Sequence, residues 1–163
     1  MSSLDKTMHF DFNQNKGKNI RDTLEDVYKA LEEKGYDVTY VPVDGDGCVS
    51  ADDVAAAMRD DTVLISAMYA NNETGMIQPI AAIGAIAKEK GVAFHVDAVQ
   101  VMGKLPIHPV ALGIDFLSAS AHKFHGPKGV GFLYHGDLQF DNLIHGGDQE
   151  NSRRAGTESI HNI

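Results

Sequence analysis

Lys123 sits in the run SASAHKFHGPKG, between small residues and a glycine-rich turn. An amine so placed serves covalent chemistry when it is partly desolvated, because only its neutral form is nucleophilic, and small neighbours let a planar ligand approach. A solvated surface lysine has the same local signature and is the commoner use. Asp97, in FHVDAVQ, ends a strand-like run. It can cap the turn that follows or, held rigidly by a sheet, pair with a protonated heterocyclic nitrogen. Gln100 shares its side only if the chain turns helically after Asp97; otherwise it is a solvated loop position. Arg153 and Arg154, in QENSRRAGTES, either pair with an anionic ligand or decorate an acidic surface.

Other chemistries fit poorly. There are eight histidines, with His122 and His125 three apart and His95 two from Asp97, but no HExxH motif or Cys/His quartet accompanies them, so no metal site is expected. The turn DGDG matches a calcium loop only in part, because with Gly47 as the required glycine Pro42 falls at the first ligand position. GPKGVG has neither the spacing nor the Lys-Ser/Thr ending of a Walker loop, and it does not open a helix as a dinucleotide fingerprint would. Cys48 follows a tight turn, away from the polar clusters, and reads as a small structural hydrophobe.

These residues need a scaffold that aims them at one place, and the apolar patterning supplies one. Leu24, Val27, Tyr28 and Leu31 share a helical stripe that stops at Gly35. Residues 36–43 have strand composition. Ser50 is placed to cap a helix bearing Val54, Ala55 and Met58, with Asp53 three residues on. Residues 62–69 form a nearly continuous apolar run, as in a strand covered on both faces. Ile80, Ile83 and Ala87 mark a further helix that Gly91 ends, and strands are expected at 92–96, 116–119 and 130–135. Alternating strands and helices predict an α/β fold of three layers, a mainly parallel sheet with helices on both faces. Ligands of such sheets bind beyond the carboxyl ends of the strands. Asn71-Asn72-Glu73, Asp97 to Gln100, and Ser120 to Lys123 each follow a strand there. Residues 1–19 read as a polar lead-in with at most a short strand, and 20–163 as the folded unit.

The chain has 163 residues, 43% hydrophobic, and a net charge of −9, values that fit one globular domain. The acidic balance argues against a nucleic-acid binder, and the lack of an apolar run of about 18 residues argues against a membrane span. One cysteine and a start without an apolar leader predict a reducing, cytoplasmic location.

Together, MYANNETGMIQPI, FHVDAVQVMGKLPI, DFLSASAHKFHGPKGVGFLY and GGDQENSRRAGTES resemble, in order, spacing and identity, the cysteine desulfurases of the class V aminotransferase group. The nearest branch is the NifS/IscS-like one that supplies sulfur for iron–sulfur clusters, and the likeness covers roughly residues 24–163. The resemblance implies part of the large domain of a fold-type I enzyme that uses pyridoxal 5'-phosphate. It implies that Lys123 holds the cofactor covalently and then moves protons at the substrate Cα, and that Asp97 pairs with the pyridinium nitrogen. It further implies that Gln100 and Asn72 serve the phenolic-oxygen side of the ring and that Ser120 and His122 bind the phosphate. Thr157 would reach the phosphate held by the other subunit of a homodimer. The implied substrate is L-cysteine, and the implied partner is a sulfur-acceptor or scaffold protein.

The resemblance also implies features that this sequence lacks. Family members carry an upstream Gly-Ala-Thr type loop and a histidine that stacks on the ring, and near that position this sequence has Ile20-Arg21-Asp22. They carry a downstream domain with a nucleophilic cysteine and a carboxylate-binding arginine, whereas Cys48 precedes Lys123. Full turnover is therefore not expected of this chain alone. The alternatives within reach of the same motifs are a selenocysteine lyase or another class V enzyme, and a non-catalytic remnant that binds a partner subunit.

Overall fold

Four apolar runs form the main strands in the computed structural model, which describes residues 8–9 and 29–161. In chain order the elements are β1 (Met8–His9), α1 (Ala51–Ala57), β2 (Leu64–Met68), α2 (Ile80–Lys90), β3 (Ala93–Asp97), β4 (Phe116–Ser120), β5 (Gly131–His135) and the single turn α3 (Gln149–Ser152). The sheet order is β1-β2-β3-β4-β5. Its first three pairings are parallel and the last is antiparallel, which gives the mainly parallel α/β sheet that the sequence predicts. Leu24, Val27 and Tyr28 of the first helical stripe lie outside the described residues, as does most of 1–19.

Side-chain alternation sorts the strands into two faces. Ile65, Ala67, Phe94, Val96, Leu117 and Ala119 are buried on one face. Helix α2 covers that face with Ile80, Ile83 and Ala87 at the spacing of one helical stripe. It ends as the sequence predicts, with Gly91 left-handed at φ 66° and Lys88 and Lys90 beside the free carbonyls of the last turn. In α1 the Ser50 hydroxyl accepts the Asp53 N–H at 3.3 Å, and Val54 is fully buried.

The other face carries Ser66, Met68, His95, Asp97, Ser118 and Ser120. Chain beyond β5 packs on it through Phe140, whose ring meets Phe116 at 5.6 Å and His135 at 5.4 Å. Arg153 lies over the Phe140 ring at 5.0 Å. Among the described residues this second cover is irregular chain and the one turn of α3.

One expected strand is corrected. Residues 36–43 add no strand to the sheet; Val43 makes a single antiparallel bridge to Val49. The turn between them closes on itself, because Asp44 Oδ1 accepts the N–H groups of Asp46 and Cys48, each at 2.9 Å. Gln78 completes the clamp from a distance, accepting from Val49 N–H at 2.9 Å and donating to the Gly47 carbonyl at 2.8 Å. The strand-forming composition of 36–43 is spent on burying Val41 instead of on a ladder.

Candidate functional site

Strand register brings the polar clusters together. Met68 is the partner of Asp97, and Asp97 that of Ser118, so β2, β3 and β4 end side by side. Asn72 is exposed just beyond β2, in a turn that the buried Asn71 shapes by accepting the N–H groups of Glu73 and Thr74. Asp97 is the last residue of β3, with Oδ1 accepting the Val99 N–H at 2.9 Å. Among the described residues that is the hydrogen bond its side chain makes. Beyond it the chain turns helically, since Met102 N–H donates to Ala98 O and Leu105 N–H to Val101 O. The condition for Gln100 to share the side of Asp97 is therefore met.

Ser120 ends β4 and makes no side-chain cap to the 3-10 turn Ala121–Lys123 that follows. That turn is tightly held: Ala121 is buried, its carbonyl accepts the N–H groups of Phe124 and Gly126, and Phe124 packs on the core. With both neighbours anchored inward, His122 and Lys123 are exposed at the edge. Small residues are required here, because a Cβ on Gly126 would stand 2.7 Å from that of Ala121.

The structure thus brings Asn72, Asp97, Gln100, Ser120, His122 and Lys123 to one edge; Thr157, the seventh expected residue, is the one expected to serve a second subunit. Thr157 is exposed, four residues beyond Arg153, which lies over the Phe140 ring. A cleft of about 740 Å³ lies at the opposite edge of the sheet, between Val92, Ile114, Tyr134 and Leu138. It holds none of the seven. The described residues contain no group of three metal-ligating side chains. No helix among them is long and apolar enough to cross a membrane.

Sequence reasoning weighed His95 only as a metal ligand and missed its two serine partners. His95 Nδ1 lies 2.7 Å from Ser66 Oγ and its Nε2 lies 3.2 Å from Ser118 Oγ. Burial lowers its pKa, and the negative charge of Asp97 acts in the other direction. The available signal was alternation: LISAM, AFHVD and FLSAS each carry a polar residue at the register that meets this face.

The approach to Thr157 is strained. Glu150, Asn151 and Ser152 have successive φ values of 52°, 55° and 62°, and none is a glycine. Left-handed backbone costs an L-residue about 1–2 kcal/mol. The exposed Ser152 hydroxyl makes only a 3.5 Å contact with Asp148. Ser152→Gly is expected to stabilise the chain, raising Tm by about 1–4 °C in a thermal scan.

The family model for class V aminotransferases matches residues 24–161. The cysteine desulfurase IscS of Dictyoglomus turgidum is 54% identical over 134 residues, covering 82% of this chain and 34% of that protein. The cysteine desulfurase IscS of Methanosarcina thermophila is 56% identical over 134 residues, covering 82% and 33%. Among solved structures, SspA in complex with cysteine superposes with a TM-score of 0.87 at 38% identity, over 96% of this chain and 44% of that one. A NifS-like protein superposes with a TM-score of 0.85 at 40% identity, over 97% and 42%. The chain spans about a third of the length of the curated relatives it matches.

Proposed function

The chain belongs to the class V aminotransferase family, and on that premise we propose that it is the pyridoxal 5'-phosphate-binding part of a cysteine desulfurase, which takes sulfur from L-cysteine and leaves alanine and a protein persulfide. The observation that carries this reading is the convergence of Asp97, Ser120, His122 and Lys123 on the carboxyl edge of the adjacent strands β3 and β4. The donor set fits the cofactor: a fixed acid for its ring nitrogen, hydroxyl and imidazole groups for its phosphate, and an exposed amine for its aldehyde.

When bound, the pyridoxal ring supplies an electron sink for charge developing at the substrate Cα. The residues of the chain bind and steer. Asp97, braced by the Val99 N–H, holds the ring nitrogen protonated. Asn72 and Gln100 donate hydrogen bonds to the phenolic-oxygen side. Ser120 and His122 hold the phosphate, and Lys123 binds covalently and carries the proton to and from Cα. Thr157 serves the phosphate of a second copy, so the working form is a homodimer.

In the net reaction L-cysteine and a protein thiol give alanine and a persulfide. The carbon–sulfur bond breaks as a sulfur–sulfur bond forms, with no external oxidant. The accepting thiol is not Cys48, which is half-buried on the 43–49 hairpin with its Sγ 3.6 Å from the Val49 carbonyl. The sulfur passes to an acceptor or scaffold protein for iron–sulfur assembly in the cytoplasm.

Mixing the 163-residue chain with pyridoxal phosphate is expected to produce a visible absorption band that borohydride fixes to the protein. No band would remove the cofactor reading. With L-cysteine and a reductant added, this chain alone is expected to yield no alanine above a protein-free control. Steady alanine production would show that Cys48 or another group here completes the cycle.

A further inference from the structure

A chain of three polar side chains crosses the sheet beside Asp97, and the reading above gives it no role. Ser66 of β2 is the register partner of His95, and Ser118 of β4 is that of Asp97. His95 precedes Asp97 by two residues, so alternation puts both on the same face of β3. A neutral imidazole offers one N–H donor and one bare nitrogen, and a hydroxyl serves as donor or acceptor. The bonds of 2.7 Å to Ser66 and 3.2 Å to Ser118 therefore satisfy both ring nitrogens without a charge. Ser66 is 5% exposed, which removes it as a nucleophile for an external substrate despite its histidine partner. Asp97 is the charged group that acts on His95 among the described residues. Were a cation in the place of His95, it would compete with any ligand for that carboxylate.

We infer that His95 is a positioning residue for Asp97: strapped between Ser66 and Ser118, it locks the end of β3 to β2 and β4 and leaves the Asp97 carboxylate to be neutralised by the ring nitrogen of the cofactor. This rests on the cofactor reading above for its ligand. Two measurements on the 163-residue chain test it, and the first needs no cofactor. Nitrogen-15 NMR of the His95 ring is expected to show one protonated and one bare nitrogen from about pH 8 to pH 6, and an apparent pKa that falls further in Asp97→Asn. Titration like that of an exposed histidine, or no response to Asp97→Asn, overturns the inference.

The second is a pyridoxal phosphate titration of the wild type, His95→Gln and His95→Phe, read by visible absorbance with circular dichroism as the folding check. Loss of a buried hydrogen-bonded link to a charged site predicts about tenfold weaker binding in His95→Phe, and partial recovery in His95→Gln, which keeps a donor and an acceptor. Equal affinities in all three overturn it. Should His95→Phe not fold, Ser118→Ala removes one strap and is expected to weaken binding about threefold, an unchanged affinity again being the contrary result. A wild type that takes up no cofactor fails the cofactor reading itself, while the ring-nitrogen measurement decides the coupling of His95 to Asp97 independently.

Discussion

Lys123→Ala is expected to abolish the covalent retention of pyridoxal phosphate: after borohydride treatment the wild-type chain gains the mass of the reduced cofactor, and the variant gains none. The expectation follows from how Lys123 is presented. Its neighbours Ala121 and Phe124 are anchored in the core, so the short turn between them holds the amine at the edge where Asp97 and Ser120 end their strands. Two other lysines stand near in sequence and serve as controls. Lys104 donates its ammonium to the Gln100 carbonyl at 3.0 Å, which occupies it, and Lys128 lies in the turn after Gly126. Lys128→Ala is expected to leave the adduct unchanged. An adduct that persists in Lys123→Ala and maps by peptide mass to another lysine would move the site off the 3-10 turn.

Gly84→Ala is expected to be among the most destabilising single changes in the described fold. In α2 a Cβ at this position would overlap the carbonyl oxygen of Leu112, and Gly113, itself left-handed at φ 68°, meets the Gly84 carbonyl in turn. Backbone touches backbone there, so no side chain can rotate away to make room. Alanine recovers about 1 kcal/mol of helix propensity. Separating α2 from the 112–113 backbone costs more, because the helix carries Ile83 and Ala87 into the core against Phe94. A net loss of about 2–3 kcal/mol, or roughly 4–12 °C in Tm, is expected. The control is Ala82→Gly on the exposed face of α2, expected to cost about 1 kcal/mol through propensity alone. If Gly84→Ala costs no more than this control, the close approach does not carry the packing described.

The legible parts of the fold are those in which local pattern and burial coincide. Residues 62–69, a continuous apolar run, yield β2, and the stripe of Ile80, Ile83 and Ala87 yields α2 with its glycine stop, because each segment has one face or both faces to bury. Residues 36–43 have the same kind of composition and form no strand. Their neighbour turn folds back within a few residues, and the long-range clamp from Gln78 holds it there. No local reading of the segment contains Gln78, which is 29 residues from Val49, whose N–H it accepts. The polar clusters were legible as three loops after three strands, since strand order alone sends them to one edge of a parallel sheet.

The sequence by itself determined which reactive groups are present, their order, and the strands that each group follows, because residue type and hydrophobic period are written locally along the chain. Tertiary structure decided which groups meet. The pairing of Asp97 with Ser118 and the strapping of His95 by serines 29 and 23 residues away both depend on strand register. Register is a property of two strands at once, and a shift of one residue would turn His95 and Asp97 to the opposite face.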